Sequence, residues 1–393
     1  MGRVLEGARL AGYGAAYFFA SGAFMSYWPV WLHDRGITDA EIGTLFMTRQ
    51  LASVVAVLGI GFLAHRLGGL RGLLLGLAAA AIVMMGAYQL SYTFLALFVV
   101  GLAWGCIWSP TMALYDGVLV NEAKARGFIY GRLRVWSSVA FIAGTLICGV
   151  AVDRYGPPSV LFVGWVGIFC LLPLALALPR GEGHARKGPA AAPFGFGELF
   201  RSKSFLLFLV AAGFCQSSHA VLYSFGTLTW RRAGIDDVTI SMLWGESVTV
   251  EIGLMLVSGW LMQRIGVTGL IGLGLGCGMI RWTAMAYTTD LPALILLQAL
   301  HAGTFAACHL GAMAFIQRAL PSNGTALGQS IYYGLGTGAT QAVIYQFAGL
   351  LYERFGQQAF LGMTAISAIG MICLLTLARR WDGGLLVGAP ARP

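Results

Sequence analysis

Charge is what this sequence has least of. Its 393 residues carry 25 Lys plus Arg and 16 Asp plus Glu, 10% in all, against roughly 25% in an ordinary soluble domain. A soluble fold must clothe its surface in charge, so the composition excludes a soluble enzyme. The 58% hydrophobic content equally excludes a disordered chain. The seven cysteines (106, 148, 170, 215, 277, 308 and 373) are odd in number and form no C-x-x-C pair. That argues against a disulfide scaffold, and they are expected as small buried apolar residues. The chain lacks a G-x-x-x-x-G-K-S/T segment and hence the phosphate cradle of an ATP-driven pump. It also lacks a compact His/Cys ligand spacing, so neither a metal nor a cofactor is expected.

What is present is a succession of long apolar runs. The first, Leu10 to Leu32, is too long for a signal-peptide core and is expected as the first span. Runs between polar breaks give twelve expected spans: 8–32, 39–64, 70–91, 93–118, 132–152, 157–179, 204–230, 238–263, 266–288, 291–318, 324–352 and 356–380. At about 20 residues per crossing the length suits that number. The segment 180–203 is longer than the other joints and rich in Pro, Gly and basic residues. It divides the chain into a six-helix half at 1–179 and another at 204–393, and is expected as a cytoplasmic linker. The expectation is therefore an all-α membrane protein of twelve helices in two pseudo-symmetric halves, spanning a bacterial inner (plasma) membrane as a multi-pass monomer.

The net charge of +9 reports membrane topology here, with no nucleic-acid role implied. With the N-terminus inside, eighteen Lys and Arg fall on the inner side. Five (Arg35, Arg154, Arg231, Arg232 and Arg354) fall outside, as the positive-inside rule requires. Arg49 and Arg281 lie within spans.

A pattern G-x-x-x-(polar)-R-x-G recurs four times, as Gly61–His65–Arg66–Gly68, Gly149–Asp153–Arg154–Gly156, Gly259–Gln263–Arg264–Gly266 and Gly349–Glu353–Arg354–Gly356. Each copy falls between the second and third helix of a three-helix group. Three is odd, so successive copies face opposite sides, as inverted three-helix repeats would place them. The glycines permit close helix approach, and the arginines are expected to cap helix carbonyls. On these copies the chain resembles the major facilitator superfamily, which implies a solute carrier.

Charged and polar residues inside spans are costly and are functional candidates by default. They are Asp116 and Arg134, His219, Glu246 and Glu251, Arg281, and His301 and His309. Arg49 sits about ten residues into its span, ~15 Å deep at 1.5 Å per residue, where it could pair with a carboxylate to hold helices together. Asp116 and Arg134 could be a structural ion pair. Glu246 and Glu251 are five residues apart, about 140° around a helix, so one of them is expected to face a site.

Asp116 followed by Gly131-Arg-Leu-Arg-Val-Trp136 resembles the sugar-binding stretch of the lactose permease family. Arg281 and His301 stand where that family has its coupling Arg and His, and Thr304 replaces its proton-carrying Glu. Closer resemblance is to the phenylpropionic acid transporter family, carried by Gln216-SS-His219-AVL-Tyr223, Glu251, Ile280-Arg281-Trp282 and Leu300-His301-AGTF-AAC-His309. The resemblance implies a proton symporter importing a small aromatic carboxylate. It assigns substrate binding to Asp116, Arg134, Trp136, His219, Tyr223, Arg281 and His301, lining one cavity, and proton coupling to Glu251, Glu246 or His309. Arg offers a planar fork for a carboxylate. Trp28, Trp108, Trp136, Trp244, Trp282, Tyr223, Tyr332 and Tyr333 could supply ring contacts, although Trp28 and Trp244 also suit an interfacial belt. Sugar or nucleoside symport and efflux antiport are the alternatives within the class. A membrane-embedded enzyme or a non-transporting sensor fits the repeat less well.

Overall fold

The computed structural model describes residues 2–67, 70–179 and 195–387, without the side chains of 2, 61–67 and 196. Among them all regular structure is helical: α1 Gly2–Asp34, α2 Asp39–Leu67, α3 Leu70–Gln89, α4 Phe94–Arg126, α5 Tyr130–Tyr155, α6 Ser159–Ala177, α7 Phe196–Arg201, α8 Lys203–Ser217 and α9 Ala220–Arg232 come first. They are followed by α10 Asp237–Met285, α11 Leu291–Ala299, α12 Cys308–Ala319, α13 Thr325–Ile331, α14 Thr340–Phe355 and α15 Phe360–Arg380. Hydrocarbon offers no water to a free N–H or C=O, and a helix satisfies its backbone internally. Among the described residues nine continuous helical stretches, several of them joining consecutive helices, are long and apolar enough to cross a bilayer. Two of these, Asp237–Met285 and Thr325–Arg380, hold two crossings each, because the chain turns at Gly266 and Gly356. With α1, the described residues form twelve membrane-length rods.

The rods start and stop where local chemistry dictates. At the head of α2, the Thr38 N–H donates to Glu41 (2.9 Å) and the Glu41 N–H donates to the Thr38 hydroxyl (3.3 Å), a reciprocal capping box. Gly127 ends α4 in the left-handed region at φ 67°. The repeated motif has the same basis. Its final glycines, Gly156, Gly266 and Gly356, take φ of 78°, 68° and 56°, where a Cβ is strained. Gly149 allows α5 to approach Asp237 and Ser241, whose atoms a Cβ there would meet at 2.6–2.7 Å, whereas a Cβ on Gly259 would meet nothing within 4 Å. Arg264 and Arg354 rest over the rings of Trp260 and Phe355, in place of the carbonyl capping expected of them. Asp153 and Arg154 are exposed, as are Glu353 and Arg354. Gly61 and Arg66 belong to the stretch whose side chains lie outside the described residues, as do residues 180–194 of the linker.

The chain packs as two compact units. In the first, α1 lies against α5 and α6, α2 against α4, and α3 against both α4 and α6. Phe225–Gly245, which follows the linker in sequence, packs within this unit. There the Thr227 hydroxyl donates to the Ser26 carbonyl, the Tyr27 hydroxyl to the Asp237 carbonyl, and the Trp244 indole to Thr227 at 2.9 Å. In the second unit α8 packs along α15, around a core that includes Phe205, Phe208, Phe315 and Tyr332. The cysteines are free. Cys148, Cys215 and Cys308 are buried as expected, while Cys106 and Cys170 are exposed.

Candidate functional site

The second unit holds a polar centre in an apolar surround. Arg281 is fully buried, and His219, Thr304 and Gln298 are each 0% exposed. The Arg281 Nη2 donates to the Gln298 Oε1. Its Nη1 reaches the Thr304 hydroxyl (3.2 Å) and the His301 Nδ1 (3.1 Å). A guanidinium only donates, so in this geometry His301 accepts at Nδ1 and is neutral, with its proton on Nε2. On the other side of Thr304, the His219 Nε2 lies 2.9 Å from its hydroxyl, and the His219 Nδ1 donates to the Gln216 carbonyl at 2.9 Å. One imidazole, His301, therefore meets the cation directly, and the other, His219, is tied to it through the Thr304 hydroxyl. Arg281 Nε has no hydrogen-bond partner. The Glu246 carboxylate lies within Coulomb range of Arg281, and Glu251 within range of the Tyr223 hydroxyl.

Irregularities in the helices shape this centre. α8 ends at Ser217 and α9 begins at Ala220, so His219 sits in a break. There the Ser218 hydroxyl donates to the Cys215 carbonyl and accepts from the Trp282 indole at 2.9 Å. His301 immediately precedes a π-helical stretch, Ala302–Ala307, and a second one spans Tyr332–Ala339. Such wide turns displace side chains from ordinary helical register and concentrate at functional sites. Rings enclose the polar groups: Tyr223 stacks on His219 at 5.3 Å and Phe305 on His301 at 5.4 Å. His309 lies beyond Phe305, 6.1 Å from the ring of Tyr333.

In the first unit Asp116 and Arg134 are not in direct ion-pair contact. Tyr130 stands between them, donating to the Asp116 carboxylate at 2.8 Å, while Arg134 lies over the Phe18 ring at 4.2 Å. Trp136 is 58% exposed in its unit. Trp28 and Trp244, 6% and 2% exposed, are interior residues rather than parts of an interfacial belt. Trp28 belongs to a continuous aromatic column: Trp31 stacks on it at 4.6 Å, Tyr88 meets its face at 4.7 Å, Trp104 and Trp108 stack at 4.8 Å, and Tyr17 stacks on Trp108 at 4.1 Å. Trp104 and Tyr17 were not singled out by sequence, because an aromatic in an apolar run has no local mark of its neighbours.

The fold and this intramembrane chemistry are those of a carrier. The chain belongs to the MFS_1 like family, which matches it over residues 9–362, and is a multi-pass inner-membrane transporter of the major facilitator superfamily, with a small organic solute as its cargo. It is 30% identical, over 90% of its length and 93% of the relative's, to the Escherichia coli (strain K12) protein named "Probable 3-phenylpropionic acid transporter". It is 24% identical to the raffinose permease of Escherichia coli, over 91% of this chain and 88% of that one. Among solved structures, the nucleoside transporter NupG superposes with a TM-score of 0.85 at 15% identity, covering 95% of this chain and 99% of the other, a likeness of fold.

Proposed function

We infer that this transporter imports a small aromatic monocarboxylate of the phenylpropionate type together with a proton, by alternating access. The observation that carries the reading is the 30% identity maintained over 90% of the chain with a relative named for phenylpropionic acid. The chemistry supports it: a cation set within helices against aromatic rings, as Arg281, Arg49 and Arg134 are, suits a flat anion better than a polyol. Glu251, Glu246 and His309 are assigned proton exchange. The Arg281–Thr304–histidine network is the fixed positive charge against which that proton works. His219, His301 and Tyr223 in the second unit, with Asp116, Arg134 and Trp136 in the first, are assigned to recognition.

Uptake of labelled 3-phenylpropionate into proteoliposomes tests this. An acidic exterior should drive accumulation, and a protonophore should abolish it. The sugar or nucleoside reading is favoured by one feature, the Asp116–Tyr130 pair, which presents a hydroxyl-binding carboxylate. Transport of a sugar or nucleoside with no transport of any aromatic acid would select it.

A further inference from the structure

Arg49 is a membrane-depth cation that the network above does not use. It is partly exposed, ten residues into α2. Among the described residues of its unit no carboxylate lies within ion-pair distance of it, so the helix-pairing role open to it by sequence has no acidic partner there. Its guanidinium lies 4.7 Å from the centroid of the Phe46 ring, and the hydroxyls of Tyr17 and Tyr88 are within Coulomb range. The helix beneath it is held firmly. A Cβ on Gly105 of α4 would collide with the Arg49 backbone carbonyl, so the two helices touch there, and the Ser53 hydroxyl donates to the Gly105 carbonyl at 3.2 Å.

Two small clefts share Arg49, Trp28 and Tyr88. Phe46 walls one and Trp104 the other. Each has room for about one water molecule as it stands, so accommodating a ring requires these aromatics to move apart. The contrast with Arg281 is chemical. Both Arg281 Nη atoms are engaged and the residue is fully buried, while Arg49 is partly exposed and lines both clefts. A buried cation is tolerated when water or an anion reaches it, and a planar carboxylate accepts two parallel N–H bonds from such a fork.

We propose that Arg49 receives the carboxylate of the transported acid, with the acid's ring lying against Trp28 and Tyr88. This rests on the aromatic-acid reading above. The test measures binding of 3-phenylpropionate, and of its uncharged analogue 3-phenylpropanol, to purified full-length protein. In Arg49→Gln the Kd for the acid should rise about 30-fold, which is ~2 kcal/mol, while the alcohol's Kd stays the same. Arg49→Lys should recover only part of the loss, because the fork is gone. In the unaltered protein, 3-phenylpropionate should protect Arg49 from phenylglyoxal, read by mass spectrometry of the peptide that contains it. That measurement stands even if a variant does not insert. Equal acid affinity in Arg49→Gln, or labelling of Arg49 unaffected by the acid, overturns the assignment while leaving the substrate reading in place. Failure of the unaltered protein to bind any aromatic acid overturns both.

Discussion

Thr304 shows how much one hydroxyl can decide. It occupies the position at which the lactose permease resemblance implies a proton-carrying Glu, and it accepts from Arg281 while facing the His219 Nε2. A Lys at position 281 has one compact ammonium and could not reach Gln298, His301 and Thr304 in the same plane. A lost hydrogen bond to a charged group costs about 1.5–3 kcal/mol. Arg281→Lys should therefore lower uptake tenfold or more with the protein still present in the membrane, measured as initial rate per inserted molecule. A wild-type rate would show that the network does not serve transport. The proton belongs to another residue, and Glu251 is the candidate at mid-depth in its rod. Glu251→Gln imitates a permanently protonated carboxyl. The variant should retain exchange of substrate across the bilayer and lose uphill accumulation, seen by comparing counterflow with gradient-driven uptake. The gradient supplies about 2.3 kcal/mol per charge per 100 mV. Accumulation by the variant would move the coupling role to Glu246 or His309.

At the scale of elements, the repeated motif separates into two physical tasks. Its last glycine reverses the chain at positive φ, and its first lets helices touch only where a neighbour is present. Gly156→Ala places a Cβ in the left-handed region and should destabilise by ~1 kcal/mol or more, read as a lower unfolding midpoint in detergent. Gly259→Ala, in the helical part of another copy with open space around it, should be neutral or slightly stabilising, since Ala is the better helix former. A reversal of that order would refute the division of labour. The same closeness explains Gly144, where a Cβ would run into the Phe19 backbone carbonyl. The α1–α5 contact depends on its absence.

For the whole molecule the governing asymmetry is charge. Eighteen basic residues expected on one side against five on the other predict that 180–203 faces the cytoplasm. Gly197, exposed on α7 with nothing near it, is a suitable reporter. In a cysteine-free background Gly197→Cys should escape an impermeant maleimide applied to intact cells and react after permeabilisation. Labelling in intact cells would invert the topology.

Properties that depend on neighbours in sequence were legible in the sequence alone. Twelve apolar runs, the four motif copies, the basic bias and the intramembrane ionisable residues are all local patterns, because the bilayer imposes length and polarity on each segment separately. The polar residues Arg281, His301 and His219 could be named for the same reason. Their bonding could not, since Arg281 finds its partners 17 to 23 residues away and His219 meets Thr304 across 85. Arg49 illustrates the limit from the other direction. By sequence it was one buried cation that could have had an acidic partner. Packing of α2 against α4 surrounds it instead with Trp28, Tyr88 and Trp104, rings contributed by three other helices, and only that packing decides whether a charge in the membrane is neutralised by the protein or left to meet a ligand.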